Sequence, residues 1–253
     1  MDMPKIMALK DAPQRIKATA RILEVGFGDG QFLRSLSKAG YSVTGTEVSQ
    51  WMLDEVRDDL PDARLVLTDD PSGLDERFDA VCCFEVLEHI QDPLALARSF
   101  PGDLLYASVP DPWRWYPKLT GRYEYWDYPP NHLWRFCVCD AAEAGYHDPK
   151  CKQGLEARLA PGQGSMSLQW VLREAGYTQI SIQQTPVQAH DLLRVIPIKQ
   201  NSASYDEMRP RGRLGFITST ARKMLTPVTY PASSVLTLLG YHGVSYYVTA
   251  VRA

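Results

Sequence analysis

The chain has 253 residues, a formal net charge of -3, and 45% apolar and 23% charged residues. That is ordinary globular usage, enough to bury a core without disulfides or metals as staples, and it excludes general disorder. The balance lacks the basic excess that phosphate tracking needs, so nucleic acid is an unlikely partner.

Residues 1–20 are charged and interrupted by proline, and read as neither a secretory signal nor an anchor. No apolar run approaches the roughly 20 residues of a bilayer-spanning helix, so a cytoplasmic location is expected. Arg21 to Val25 is the first strand, and it enters a glycine-rich turn followed by a helix over Gln31 to Ala39, with Phe32, Leu33 and Leu36 at helical spacing. Gly40 ends that helix, Tyr41 to Glu47 is the second strand, and Ser49 caps a helix carrying Trp51, Met52, Leu53 and Val56. Ala63 to Thr68 is a third strand, Asp69 to Arg77 a polar loop, and Phe78 to Phe84 a fourth strand apolar enough for burial on both faces. A helix over Pro93 to Phe100 and a fifth strand, Leu104 to Val109, follow. Later come a helix over Ser167 to Ala175 closed by Gly176, and strands at Tyr177 to Gln183 and Ser245 to Val251.

This alternation predicts one α/β domain: a doubly wound, mostly parallel, Rossmann-like sheet with helices on both faces and a C-terminal cap or insertion. Residues 21–110 form its ligand-binding core, 111–166 an aromatic cap and flexible insertion, and 167–253 the part that completes the sheet. Leu214 to Leu225 and Ser234 to Leu239 read as amphipathic helices separated by Pro227 and Pro231. Arg209, Arg211, Arg213, Arg222 and Lys223 fit a solvated face better than a peripheral membrane contact. Cys82 and Cys83 fall in a strand as buried thiols, and Cys137, Cys139 and Cys151 lack a fourth ligand at zinc-finger spacing, so reduced cysteines are expected.

The run Glu24-Val25-Gly26-Phe27-Gly28-Asp29-Gly30 lies between strand and helix, where open α/β sheets bind ligands. A dinucleotide fingerprint needs its third glycine at position 31, which is Gln31, and this argues against a nicotinamide enzyme. Glu47, at the end of the second strand, is placed to accept hydrogen bonds from both hydroxyls of a ribose, which points to an adenosine ligand. Asp69 or Asp70 is placed for an adenine amino group, and Phe84 for packing on the ring.

The order of these pieces, with Phe78-Asp79-Ala80-Val81 and Phe84-Glu85-Val86-Leu87-Glu88-His89-Ile90, resembles the class I S-adenosylmethionine methyltransferases over Ile22 to Pro110 and again over Ser167 to Ile182. The resemblance implies S-adenosylmethionine as cofactor, with Gly26, Gly28 and Gly30 lining its methionine part, Glu24 facing its amino group through water, and Glu47 holding the ribose.

Glu85, Glu88 and His89 stand at i, i+3 and i+4, on one face of a helical turn. Two carboxylates and an imidazole suit magnesium or manganese better than zinc, with His132 as a further ligand from a segment expected to fold over the crevice. The pattern is similar to that of the ubiquinone-pathway O-methyltransferases and the small-RNA 2′-O-methyltransferases, and implies a magnesium site and transfer to a hydroxyl oxygen. His89 or His132 as a general base is one alternative. A helix-end role for the two glutamates beside a structural histidine is another.

Four of six tryptophans, Trp113, Trp115, Trp126 and Trp134, fall in one stretch with Tyr116, Tyr123, Tyr125 and Tyr128. They read as packing between a cap and the sheet, or as a stacking surface for a planar small-molecule acceptor. Residues 137–166 read as an extra loop with little core of its own. The expected function is therefore methyl transfer to oxygen on a small hydroxylated acceptor. A silent cofactor-binding scaffold and a metal-free nitrogen or carbon methyltransferase are the competing possibilities.

Overall fold

The computed structural model describes residues 1–139, 154, 156–157, 159–194 and 229–252. The helix expected at Leu214 to Leu225, the five basic residues between 209 and 223, and Cys151 lie outside the described residues. The chain forms two compact units, one of Met1–Pro112, Tyr125–Gln184 and Ser245–Ala253, the other of Trp113–Glu124 and Thr185–Val244. The aromatic stretch is thereby divided, Trp113 and Trp115 belonging to the second unit and Trp126 and Trp134 to the first.

In the first unit, β1 (Arg21–Val25), β2 (Ser42–Glu47), β3 (Arg64–Leu67), β4 (Phe78–Phe84), β5 (Gly102–Pro110), β8 (Tyr177–Pro186) and β9 (His242–Arg252) make one sheet in the order β3-β2-β1-β4-β5-β9-β8. The strands β1 to β5 run parallel, and β9 pairs antiparallel with β5 from Leu104↔Val251 to Pro110↔Ser245. Order reverses at β1, with β2 on one side and β4 on the other, and the crevice outside such a switch point is where open α/β sheets take ligands.

Alternate side chains go to opposite faces, as the period of a strand requires. Ile22, Ala80, Cys82 and Tyr106 join Ala8 and Ala12 of α1 (Met3–Arg15), Phe32 and Leu36 of α2 (Gln31–Lys38), and Leu53 of α3 (Gln50–Arg57). Leu23, Val81, Cys83 and Leu105 join Leu96 of α4 (Pro93–Ser99) and Val171 and Leu172 of α6 (Leu168–Glu174) on the other face. The doubly wound expectation is met. The N-terminal helix is an addition to it: Pro4 sits in its first turn, where the missing N–H costs nothing, and Pro13 lies inside it.

A second, two-stranded sheet pairs β6 (Trp134–Cys137) with β7 (Gly164–Ser167) in parallel, so both ends of the stretch read as an extra loop are ordered. Cys137 and Cys139 are joined as a disulfide, which corrects the expectation that all five cysteines are reduced. Cys82 and Cys83 are free and buried, as expected. Ser167 ends β7 and caps α6: its Oγ accepts from the Trp170 N–H and donates to the Cys139 carbonyl at 2.8 Å. Ser167→Ala should cost about 1–2 kcal/mol through the lost cap and the carbonyl left unmatched. An unchanged urea midpoint would contradict this.

The second unit contains α5 (Trp115–Thr120), α7 (Ala189–Arg194) and a helix over 229–238, which covers most of the one expected at Ser234 to Leu239. Lys118 donates to the Gly240 carbonyl and lies over the Tyr241 ring, and Val187 donates its N–H to Thr237 Oγ1. Among the described residues, no helix is long and apolar enough to cross a membrane.

Candidate functional site

The glycine loop leaves β1 and is tied at once to β2, with the N–H groups of Gly26 and Phe27 donating to the Thr46 carbonyl. All three glycines have positive φ, the conformation that a side chain disfavours, but they serve different ends. A Cβ on Gly26 would lie 2.6 Å from Val86, and one on Gly30 2.6 Å from Val56, so both positions allow close packing. At Gly28 a Cβ would meet nothing within 4 Å; its face is open, and only there does the missing side chain leave room for a ligand.

Glu47 organises this loop. Its Oε2 accepts from the Gly28 N–H at 2.9 Å, and its Oε1 accepts from the N–H groups of Val48 and Ser49 at 2.9 and 3.2 Å. A carboxylate has about four lone-pair sites, so capacity remains for a ligand hydroxyl. Asp70 is spent locally: its carboxylate accepts from the Ser72 N–H at the start of a tight turn, and the Ser72 bonds hold its pKa below the ordinary value. Asp69, exposed beside it, is left as the candidate for an adenine amino group.

Two expectations need correction here. Phe84 packs edge-on against Phe32, with ring centroids 5.0 Å apart, so its ring belongs to the core beneath the sheet end. Glu24 is fully buried and ion-paired with Lys5 of α1, whose ammonium lies 3.1 Å from Oε1, so it does not face the crevice. No signal at the sequence level pointed to Lys5.

Burial pushes the Glu24 carboxyl up to about 7 against the opposing charge of Lys5. Because this lies above the value in the unfolded chain, folding tightens proton binding there. The stability Glu24 contributes is then fullest below about 4.5 and lost as the pH rises to about 7. Relative to Glu24→Gln, the wild-type chain should lose stability between pH 5 and 7.5. Parallel urea midpoints across that range would refute it.

The acid and histidine motif follows β4. The helical turn expected there is a short 3-10 turn, Leu87–His89, but Glu85 stands outside it with φ of 54°. Glu85 Oε1 accepts from Ser108 Oγ at 2.7 Å, which corrects the placing of Glu85, Glu88 and His89 on one helix face. Glu88 is fully buried, and neither of its oxygens receives a hydrogen bond from the described residues. Burial first, and the Glu85 charge second, push its pKa well above the ordinary range.

The segment carrying His132 is pinned across this turn. The Leu133 N–H donates to the Glu88 carbonyl at 2.8 Å, and Trp134 Nε1 donates to the Ile90 carbonyl at 2.9 Å. Gln163 holds it from behind, giving its side-chain N–H groups to the carbonyls of Asp127 and His132. The rings of His89 and His132 meet at 4.8 Å, and potential ligand atoms of Glu88, His89 and His132 lie within 4.8 Å of one another.

Further groups support this cluster. His89 Nδ1 bonds to the Asn131 carbonyl, which leaves Nε2 on the Glu88 side, 3.8 Å from Oε1. Burial, then His132, lowers the His89 pKa and favours the neutral imidazole that a metal requires. His132 Nδ1 lies 3.5 Å from Oδ1 of Asp127, a buried partner that the sequence reading did not single out. Glu88, His89 and His132 thus form a trio of two imidazoles and one carboxylate without Glu85. Such a set suits manganese, iron or zinc better than magnesium, which prefers oxygen ligands. Val86, packed on Gly26, makes this turn the neighbour of the glycine loop.

A family model described as a methyltransferase domain matches residues 5–141. The ubiquinone biosynthesis O-methyltransferases of Actinobacillus pleuropneumoniae serotype 7 and Coxiella burnetii are each 30% identical, over 90 and 117 residues. These matches cover 31% and 40% of this chain and 38% and 48% of the relatives, so the chain spans less than half the length of the curated relatives it matches. A solved structure of an S-adenosylmethionine-dependent methyltransferase from Archaeoglobus fulgidus shares the fold, with a TM-score of 0.53 at 17% identity over 98% of this chain and 92% of that one.

Proposed function

The chain belongs to the methyltransferase-domain family as a class I S-adenosylmethionine-dependent methyltransferase, and we propose that it methylates the oxygen of a small hydroxylated acceptor. The loop fits the cofactor: the open face at Gly28 would admit it, Glu47 would hold its ribose and Asp69 its adenine amino group. Bound S-adenosylmethionine supplies a methyl group already activated on a sulfonium, so the protein has to position an acceptor and remove its proton.

Choice of oxygen rests on one observation, the meeting of buried Glu88 with His89 and His132 beside the glycine loop. Neutral hydroxyls are poor nucleophiles and gain from a group that takes the proton, whereas an unprotonated amine needs none. The names of the curated relatives agree with transfer to oxygen. A divalent ion held by Glu88, His89 and His132 would lower the pKa of an acceptor hydroxyl. A second reading needs no ion and is favoured by Asp127: the buried carboxylate orients His132, which takes the proton itself.

The test is calorimetric titration of manganese and magnesium into EDTA-treated protein holding S-adenosylhomocysteine. Manganese is expected to bind saturably and more tightly than magnesium, and Glu88→Ala to abolish the binding. Absence of binding would leave the general-base reading. Incubation of the protein with a panel of phenols, catechols and amines, read by mass spectrometry, tests the acceptor atom. Methylation confined to amines would overturn transfer to oxygen.

A further inference from the structure

The helix over 229–238 turns its polar side chains inward and its leucines outward. Ser233 is buried and donates to the Tyr230 carbonyl at 2.8 Å. Thr237 Oγ1 donates to the Ser233 carbonyl at 3.0 Å and accepts from the Val187 N–H at 3.1 Å. Val235, Leu238 and Leu239 stand at i, i+3 and i+4 on the opposite face, and the Leu239 N–H closes the last turn on the Val235 carbonyl at 2.9 Å. Leu238 is 87% exposed and Leu239 67%, and Val235 and Tyr230 are exposed with them. A helix on the surface of a globular chain ordinarily does the reverse.

The charges around this face are of one sign. Residues 226–251 contain no Lys, Arg, Asp or Glu. At the end of the helix Lys118 of α5 donates to the Gly240 carbonyl, and Leu119 and Arg122, both exposed, follow it in the chain. The two carboxylates described in this unit are already engaged: Glu124 is ion-paired with buried Arg114, and buried Asp191 accepts from the Gln188 N–H at 2.8 Å. By sequence the unit, Trp113–Glu124 and Thr185–Val244, has ten Lys and Arg against four Asp and Glu, whereas the whole chain has 27 against 30. The positive excess of an acidic protein is thus gathered in the unit that exposes the leucines.

We propose that this face, Val235, Leu238 and Leu239 with Lys118 and Arg122 as its cations, docks on an anionic phospholipid surface. Basic residues alone fit a solvated face. Basic residues beside an outward row of aliphatic side chains match a bilayer surface, where acyl chains take up the leucines and anionic headgroups attract the cations. Tyr230 has the amphipathic ring that settles at headgroup level. A second copy of the chain is a poorer occupant, because two units with the same positive excess repel one another.

The experiment is co-sedimentation with vesicles of phosphatidylcholine alone and of phosphatidylcholine with phosphatidylglycerol. The wild-type chain should sediment with the anionic vesicles and not with the neutral ones, and added salt should weaken the binding. The double variant Leu238→Ser, Leu239→Ser should lower the partition coefficient by about tenfold or more, and Arg122→Gln by roughly fivefold, the effect of one basic residue near such a surface. All three positions are exposed, so melting temperatures equal to that of wild type are expected and show that the variants are folded. Equal binding to both kinds of vesicle, binding to neither, or undiminished binding by the double variant would overturn the proposal. Sedimentation velocity covers the other occupant: a wild-type dimer that the double variant splits, without binding to vesicles, would show the face to be a contact between copies and overturn it too.

Discussion

Glu47→Ala is expected to weaken S-adenosylhomocysteine binding by roughly 100- to 10,000-fold, the equivalent of two lost charge-assisted hydrogen bonds. The carboxylate has two tasks at once. It would accept from the ribose hydroxyls, and it already holds the N–H groups of Gly28, Val48 and Ser49. On the proposed cofactor site, removing it would strip the ligand of its partners and free the loop whose open face at Gly28 would admit that ligand. Glu47→Gln separates the two tasks, because an amide keeps one acceptor oxygen and turns the other atom into a donor that opposes a backbone N–H. Its binding loss should approach that of alanine even though the side chain fills the same space. Calorimetry on both variants checks this, and an affinity within threefold of wild type for Glu47→Ala would show that the ribose is held elsewhere.

The first five strands were legible because each is a short apolar run bounded by glycine, proline or a capping side chain, and because the strands alternate with helices of clear period. Local chemistry decides such elements. The place of Glu47 was legible for the same reason, since it ends a strand whose neighbour carries the glycine loop. Lys5 was not. Pro4, Pro13 and the polar content of residues 3–15 obscure the helix, and the bond to Glu24 joins residues 19 apart that only the fold brings together. Asp127 and Gln163 escaped notice likewise, as they act on His132 through tertiary contacts.

Glu85 shows a different failure. The spacing i, i+3, i+4 predicts one face only if the backbone is helical throughout, and here the chain takes positive φ at Glu85 before the turn begins. A partner 23 residues away, Ser108 on β5, then captures its carboxylate. Phe84 was placed at the right strand end but toward the wrong side. The alternation that sends Ala80 and Cys82 toward α1 and α2 sends Phe84 there too, and that parity could have been counted from the sequence.

His132→Ala is the second substitution with a large expected effect: a fall in kcat of about 100- to 10,000-fold, the range for a positioned acid or base. S-adenosylhomocysteine affinity should stay within threefold, because the role proposed for His132 is on the acceptor side, while the glycine loop is held by Glu47 and Thr46. Asp127→Asn then divides the two roles open to His132. If His132 takes the proton directly, Asp127 stabilises the imidazolium that forms, and its amide variant should lose most of the same activity at every manganese concentration. If His132 is a metal ligand, Asp127 orients a neutral ring, and the amide variant should lose manganese affinity first and recover activity as the ion is raised. A kinetic series over manganese concentration, with wild type, His132→Ala and Asp127→Asn side by side, reads both patterns. Loss of cofactor affinity in His132→Ala would contradict either role, since it would place the histidine in the fold of the loop and outside the chemistry.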